Sequence, residues 1–261
     1  MHNTDERHLL ILTCTVSPQV SSNLTRSNSE LRLKDYVASL AKLQSLSEGL
    51  KIDFLVVENS NSIELIKVGL SKMKVNLNDF IFLSCEQDAL SATSGISAGE
   101  HNMLREVVTI VSLSQYEVVW KLTGRLHIEN LGKLISKSSG NFRGNRFFSQ
   151  DHTIDSRFFG MTTNVFKDFA LNPPKYSENP QKTTSFKSAD SFRAIEYYLA
   201  FYTLMLETAG LSVRGLPGIP LYRGISASTG KRLDGIQTRL KVKVLNRFRQ
   251  FFIKGLLGVG P

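Results

Sequence analysis

Residues Val118–Asn130 read VVWKLTGRLHIEN. The run of Val118, Val119, Trp120 and Leu122 has the β-branched and aromatic character of a buried strand. It leads into Lys121, Gly124 and Arg125, with no carboxylate before Glu129. Two fixed cations and a glycine at the end of an apolar strand suit an anion. Lys and Arg are charge-assisted donors to phosphate, and Gly allows a close approach to the backbone. Taken alone, KLTGR fits a pair of solvated surface ion pairs equally well.

The segments before it make this strand the fourth in an alternating series. His8–Val16 is a continuous apolar run, Ile52–Val57 a second and Phe80–Cys85 a third. Between them, Leu33, Tyr36, Val37, Leu40 and Leu43 recur at helical spacing, which predicts a helix from Glu30 to Leu46. Ile63–Met73 also reads as helical. Met103, Leu104, Val107, Val108 and Val111 share a helix face, with Ser97 and Glu100 spaced as a capping box at its start. Glu117–Leu122 is then the fourth strand. Such alternation predicts an α/β fold, a mostly parallel sheet flanked by helices. The loops after the strands, SPQVSSN, ENSNS, SCEQDALSATSGISAG and KLTGR, form the default ligand face of such a sheet.

The second half is less regular. Strands are expected at Arg146–Phe148 and Arg157–Met161, helices at Asn164–Phe169 and Ser191–Ala209, and a long loop over Asn172–Ser188. A last helix is expected from Ile236 to Lys254. Its stripe of Leu240, Val244, Phe248, Phe251 and Phe252 opposes Arg239, Lys243, Arg247 and Lys254, a pattern that suits an anionic membrane surface or a partner groove.

Composition narrows the class. The chain has 261 residues, 41% hydrophobic and 21% charged, as in ordinary globular proteins. Of its net charge of +9, most lies from Lys231 onward, where eight cations stand against Asp234 alone. A near-neutral body argues against nucleic-acid binding. Cys14 and Cys85 sit in apolar runs and read as free buried thiols. MHNTDERHLL lacks the features of a signal peptide, and no window approaches the about 18 apolar residues of a membrane span. The expectation is a cytoplasmic protein.

Candidate site residues follow from position. Thr15 ends the first apolar run; Glu58, Asn59 and Ser60 end the second, where a ribose or base can be hydrogen-bonded, although ENSNS is also plain turn chemistry. STGKR, with Lys231 and Arg232, can act as a cationic flap or a solvated loop. Glu196, among Ile195, Tyr197 and Tyr198, is a candidate general base, with Asp155 second. Its bland alternative is an exposed helical carboxylate. No G-x-G-x-x-G, P-loop or zinc-type spacing occurs.

In order and spacing, RLKDYVASL, VVENSN, GISAGE and VVWKLTGRLHIEN together resemble bacterial GT-A-like glycosyltransferases that build surface polysaccharides such as O-antigen and capsule. DSRFFG, AIEYYLA and GISASTGK match more loosely. The resemblance implies a GT-A-like, Rossmann-like fold: a single domain over residues 1–235, with 1–130 the nucleotide-sugar half and 131–235 the acceptor side, and a basic amphipathic helix over 236–261. It implies transfer of a sugar from a nucleotide sugar, UDP-linked by expectation, to a glycan or lipid-linked acceptor, by inversion. The enzyme would be peripheral on the inner face of the cytoplasmic membrane. Glu58 and Asn59 stand where the family holds the nucleoside. KLTGR stands where the family has D-x-D, and D-x-D occurs nowhere in the chain. The expectation is therefore no cofactor and no metal, with Lys121, Gly124, Arg125 and Lys231 facing the diphosphate. A nucleotidyltransferase or sulfotransferase would need an acid pair or P-loop that is missing. A non-catalytic nucleotide-sugar-binding or scaffold subunit is the alternative.

Overall fold

Every residue of β1 (His8–Cys14) is buried, because helices cover both faces of the sheet it centres. The computed structural model describes residues 6–18, 27–85, 96–146, 153–174, 194–226, 230 and 232–233. Around β1 lie β2 (Ile52–Glu58), β3 (Phe80–Ser84), β4 (Val118–Thr123), β6 (Phe142–Arg146), β7 (Ile154–Thr162) and β8 (Val213–Arg214), in the order β3-β2-β1-β4-β7-β6-β8. The first four pair in parallel, while β7 runs antiparallel to β4 and to β6. The expected α/β architecture, a mostly parallel sheet flanked by helices, is present.

Alternation along each strand divides the core in two. Leu9, Ile11, Leu55, Val57 and Val119 face one side, with α3 (Ile96–Ile110), α5 (Thr163–Leu171) and α6 (Ile195–Thr208) packed on it. Leu10, Leu12, Val56, Trp120 and Leu122 face the other, under α1 (Ser29–Leu46), α2 (Ile63–Lys72) and α4 (Leu131–Ser136). Sheets covered on both faces read as continuous apolar runs, which is why these strands are legible from sequence. Asn28 caps α1 by accepting the Leu31 amide at 2.9 Å. Trp120 lies flat over Gly160, its strand partner, and stacks on Phe158 at 5.1 Å. A Cβ on Gly160 would fall 2.5 Å from the indole ring, so this position admits only glycine.

Some boundaries differ from expectation. β6 ends at Arg146, where a strand was expected to begin; Phe147 and Phe148 lie outside the described residues. A two-stranded ribbon of β5 (Leu126–Ile128) and β9 (Tyr222–Gly224) was not expected. It ties the segment after KLTGR to residues 222–224, helped by an Arg223–Glu129 ion pair at 2.7 Å. The expected helix over 236–261, Lys231, and residues 175–188 of the expected loop lie outside the described residues. Among the described residues, no helix is long and apolar enough to cross a membrane.

Candidate functional site

The chain leaves β1 toward β2 on one side and returns to its other side as β4. Ligands of open α/β sheets sit at such a reversal, outside the carboxyl ends of the strands. Here those ends carry Thr13–Ser17 and Thr123–Arg125, with ENSNS beside them.

Glu58 is fully buried and saturated. Its Oε1 accepts from the Val16 amide at 3.2 Å and from the Ser60 hydroxyl; its Oε2 accepts from the amides of Ser60 at 2.9 Å and Ser62 at 2.7 Å. A carboxylate has about four acceptor sites, so Glu58 ties the β1 loop to the β2 turn. No oxygen is left for a ribose. Asn61 closes the turn at φ 54°, a left-handed conformation that asparagine tolerates. Asn59 accepts from the Thr15 hydroxyl at 2.7 Å, a second tie between the two loops.

Thr15 is clamped from below. Arg32 donates to its carbonyl through Nε at 2.7 Å and Nη2 at 2.5 Å, and Tyr36 Oη accepts its amide at 2.9 Å. Burial pushes the Tyr36 phenol up, against the pull of Arg125 and Arg32. Burial lowers the Arg32 pKa, and the nearby charge of Arg125 lowers it further. Two guanidinium groups thus lie near one another at this end of the sheet. The Arg125 side chain is half-buried, and its Nε is buried with no hydrogen-bond partner.

Lys121 behaves differently from the reading that faces it to a diphosphate. Its side chain is 0% exposed, and its ammonium meets Glu100 Oε1 at 2.5 Å, the Ser156 carbonyl at 2.7 Å and Thr123 Oγ1 at 3.2 Å. Three donors meet three acceptors. Glu100 also accepts from Thr13 Oγ1 at 3.1 Å. The expected capping box is therefore not built: Glu100 turns to Lys121, and Ser97 Oγ accepts the Ile195 amide at 3.2 Å. Gly124 has its close approach to β1, not to open space. Its amide donates to the Thr13 carbonyl at 3.0 Å, and a Cβ there would stand 2.6 Å from Cys14 Sγ. Burial pushes the Cys14 thiol well above its usual range and the Cys85 thiol up to about 12, so both read as inert packing groups.

At the start of β7, next to the carboxyl end of β4, stand Asp155, Ser156 and Arg157. Asp155 is 4% exposed and takes four donors: the Arg157 amide at 3.0 Å, its Nε and Nη2 at 2.8 Å each, and Tyr222 Oη at 2.9 Å. Burial opposes the charge on Arg157, but Asp155, Tyr222 and Glu196 hold its pKa above the usual value. Ser156 Oγ donates to Glu196 Oε1 at 2.6 Å. Glu196 is half-buried in the first turn of α6, and its Oε2 has no hydrogen-bond partner among the described residues. Of the two candidate bases, only Glu196 has an oxygen without a hydrogen-bond partner among the described residues.

GT-A-like enzymes raise the question of a divalent cation. The described residues at this end do not fit one. The carboxylates near the crevice, Glu58 and Glu100, are engaged by donors and by Lys121, and no group of three or more His, Cys, Asp or Glu side chains could hold a metal among the described residues.

Sequence reasoning missed Arg32, Tyr36, Ser156 and Glu100. Arg32 and Tyr36 carried a signal: an Arg on the inner, apolar face of α1, four residues before a Tyr, has to find a polar target.

No family profile matches the sequence, and no curated protein matches it. Among solved structures, the inositol-1-phosphate CTP transferase from T. maritima superposes with a TM-score of 0.49 at 13% identity, covering 91% of this chain and 96% of its own. The galactosyltransferase LgtC, in complex with donor and acceptor sugar analogs, gives 0.45 at 8% identity over 63% of this chain and 60% of its own. The 4-diphosphocytidyl-2C-methyl-D-erythritol synthase from Anaerococcus prevotii DSM 20548 gives 0.40 at 9% identity over 94% and 96%.

Proposed function

We propose that the protein is a GT-A-like glycosyltransferase that takes a sugar from a nucleotide sugar, UDP-linked by preference, to a glycan or lipid-linked acceptor of the cell surface. The observation that carries this reading is Arg125, a guanidinium with a buried, unpartnered Nε beside Arg32 at the β1/β4 reversal. Such a group has desolvated a donor without replacing its water, a cost of about 1–3 kcal/mol that an incoming phosphate oxygen removes. The surrounding loops are fixed before any ligand arrives, by Glu58, Asn59 and the Arg32–Tyr36 clamp on Thr15. A preorganised cationic crevice stabilises the charge that builds on a departing diphosphate.

In the reaction, the acceptor oxygen bonds to the anomeric carbon while the bond from that carbon to the diphosphate oxygen breaks. Glu196 takes the acceptor proton, and the electron pair of the broken bond leaves with the nucleoside diphosphate. That single displacement inverts the anomeric centre. Arg125 neutralises the leaving group directly, without a metal, and Lys231 or Arg232 adds charge from the late segment. The basic C-terminal segment holds the enzyme on the anionic inner face of the membrane, where lipid-linked acceptors lie.

A thermal-shift panel of nucleotides and nucleotide sugars tests donor binding. UDP at about 100 times its Kd adds about 2.7 kcal/mol of stability and so several degrees of Tm; no shift with any member overturns the reading. Glu196→Gln then separates enzyme from scaffold. It abolishes sugar transfer to membrane acceptors while leaving the UDP shift intact, whereas a scaffold subunit would support polysaccharide production unchanged.

A further inference from the structure

We infer that Ser156 is a positioning residue for the reaction proposed above, and that Lys121 and Glu100 act on catalysis only through it; the inference rests on that reading. The observations form one continuous line beneath the strand ends. It runs from Thr13 on β1 to Glu100 on α3, to Lys121 on β4, to Ser156 on β7, and to Glu196 on α6. Each link is a hydrogen bond or ion pair of 2.5–3.1 Å. Five elements that share no local sequence are joined by four contacts.

Ser156 is the turning point. Its carbonyl is gripped by the Lys121 ammonium at 2.7 Å, and its hydroxyl donates to Glu196 Oε1 at 2.6 Å. A buried lysine that pairs with a glutamate and still spends a donor on one backbone carbonyl fixes that residue in place. The hydroxyl then has one acceptor, and it orients the Glu196 carboxylate so that Oε2 is the oxygen left open. Proton removal needs that oxygen within hydrogen-bond reach of the acceptor hydroxyl, and a displacement of about 1 Å costs about a hundredfold in rate. Lys121 thus takes part without touching a phosphate: it sets the base from the neighbouring strand, through Ser156.

The test compares Ser156→Val with Ser156→Thr, which have the same shape and differ in the hydroxyl. Both are assayed with the nucleotide sugar giving the largest thermal shift, following labelled sugar into membrane acceptors, with thermal unfolding as the check on folding. The Val variant loses about 10- to 100-fold in kcat with KM for the donor unchanged, and the Thr variant stays within about threefold of the parent. Equal kcat in Val and Thr variants overturns the inference and leaves the glycosyltransferase reading standing. If the parent binds and turns over no nucleotide sugar, that reading fails and the inference with it. Should the Val variant unfold at the assay temperature while Thr does not, the hydroxyl is holding the fold and the positioning role is rejected.

Discussion

Lys121 and Arg125 come from one five-residue stretch and end in opposite circumstances. Lys121 lies in a seam where each charge is answered: an ammonium with three acceptors, and a glutamate with a lysine and a threonine. Arg125 lies at a crevice where two guanidiniums sit within range of each other and one Nε is left over. Alternation along β4 and the turn after it send one cation into the sheet's helix-covered face and the other to its tip. The lesson is that a saturated buried charge organises structure, whereas an unsatisfied one at a strand end invites a ligand.

Breaking the seam should have the largest effect on stability. Lys121→Met leaves Glu100 without its cation and should cost about 3–5 kcal/mol in urea unfolding; adding Glu100→Gln should restore most of it, and failure to do so would mean the pair is not the cause. Next to Glu100 on α3, His101 is buried against Phe169 and Tyr198, and burial holds its pKa at about 4 against 6.5 in the open chain. The unfolded chain therefore binds the proton first. Stability from this group is complete above about pH 6.5 and falls by about 3 kcal/mol as the pH drops toward 4. His101→Phe should flatten that part of the profile. At the boundary between seam and crevice, Gly124→Ala forces a Cβ toward Cys14 Sγ and the Thr13 carbonyl and should cost about 1–3 kcal/mol. Smallest on stability is Arg125→Ala, within about 1 kcal/mol, because relief of the buried, unpartnered Nε offsets the packing lost with the aliphatic stem.

The same contrast marks how far the sequence could be read. β1, β2 and β4 were plain because strands buried on both faces are unbroken apolar runs. β5, β8 and β9 have two or three residues each, too few for any periodicity, and only their pairing across the fold defines them. The site was legible as a place, the ends of β1, β2 and β4, but not as a set of partners. Glu100 follows Ser97 at capping-box spacing, and nothing local says that Lys121 will claim it. Glu58 reads as a ligand for a ribose, yet the turn residues Ser60 and Ser62 in the same ENSNS stretch are what fill its oxygens. Asp155 and Glu196 look alike as acids in sequence. Arg157 and Tyr222 make the difference, one two residues away and the other brought in by the β5–β9 ribbon.

The proposed function turns on one contact, a diphosphate held by Arg125 at the β1/β4 reversal. Calorimetric titration of UDP into the parent protein and into Arg125→Ala tests it most directly. The parent should bind UDP, and the variant should bind it at least about tenfold more weakly with its unfolding transition unchanged. Equal affinity in the two proteins would contradict it.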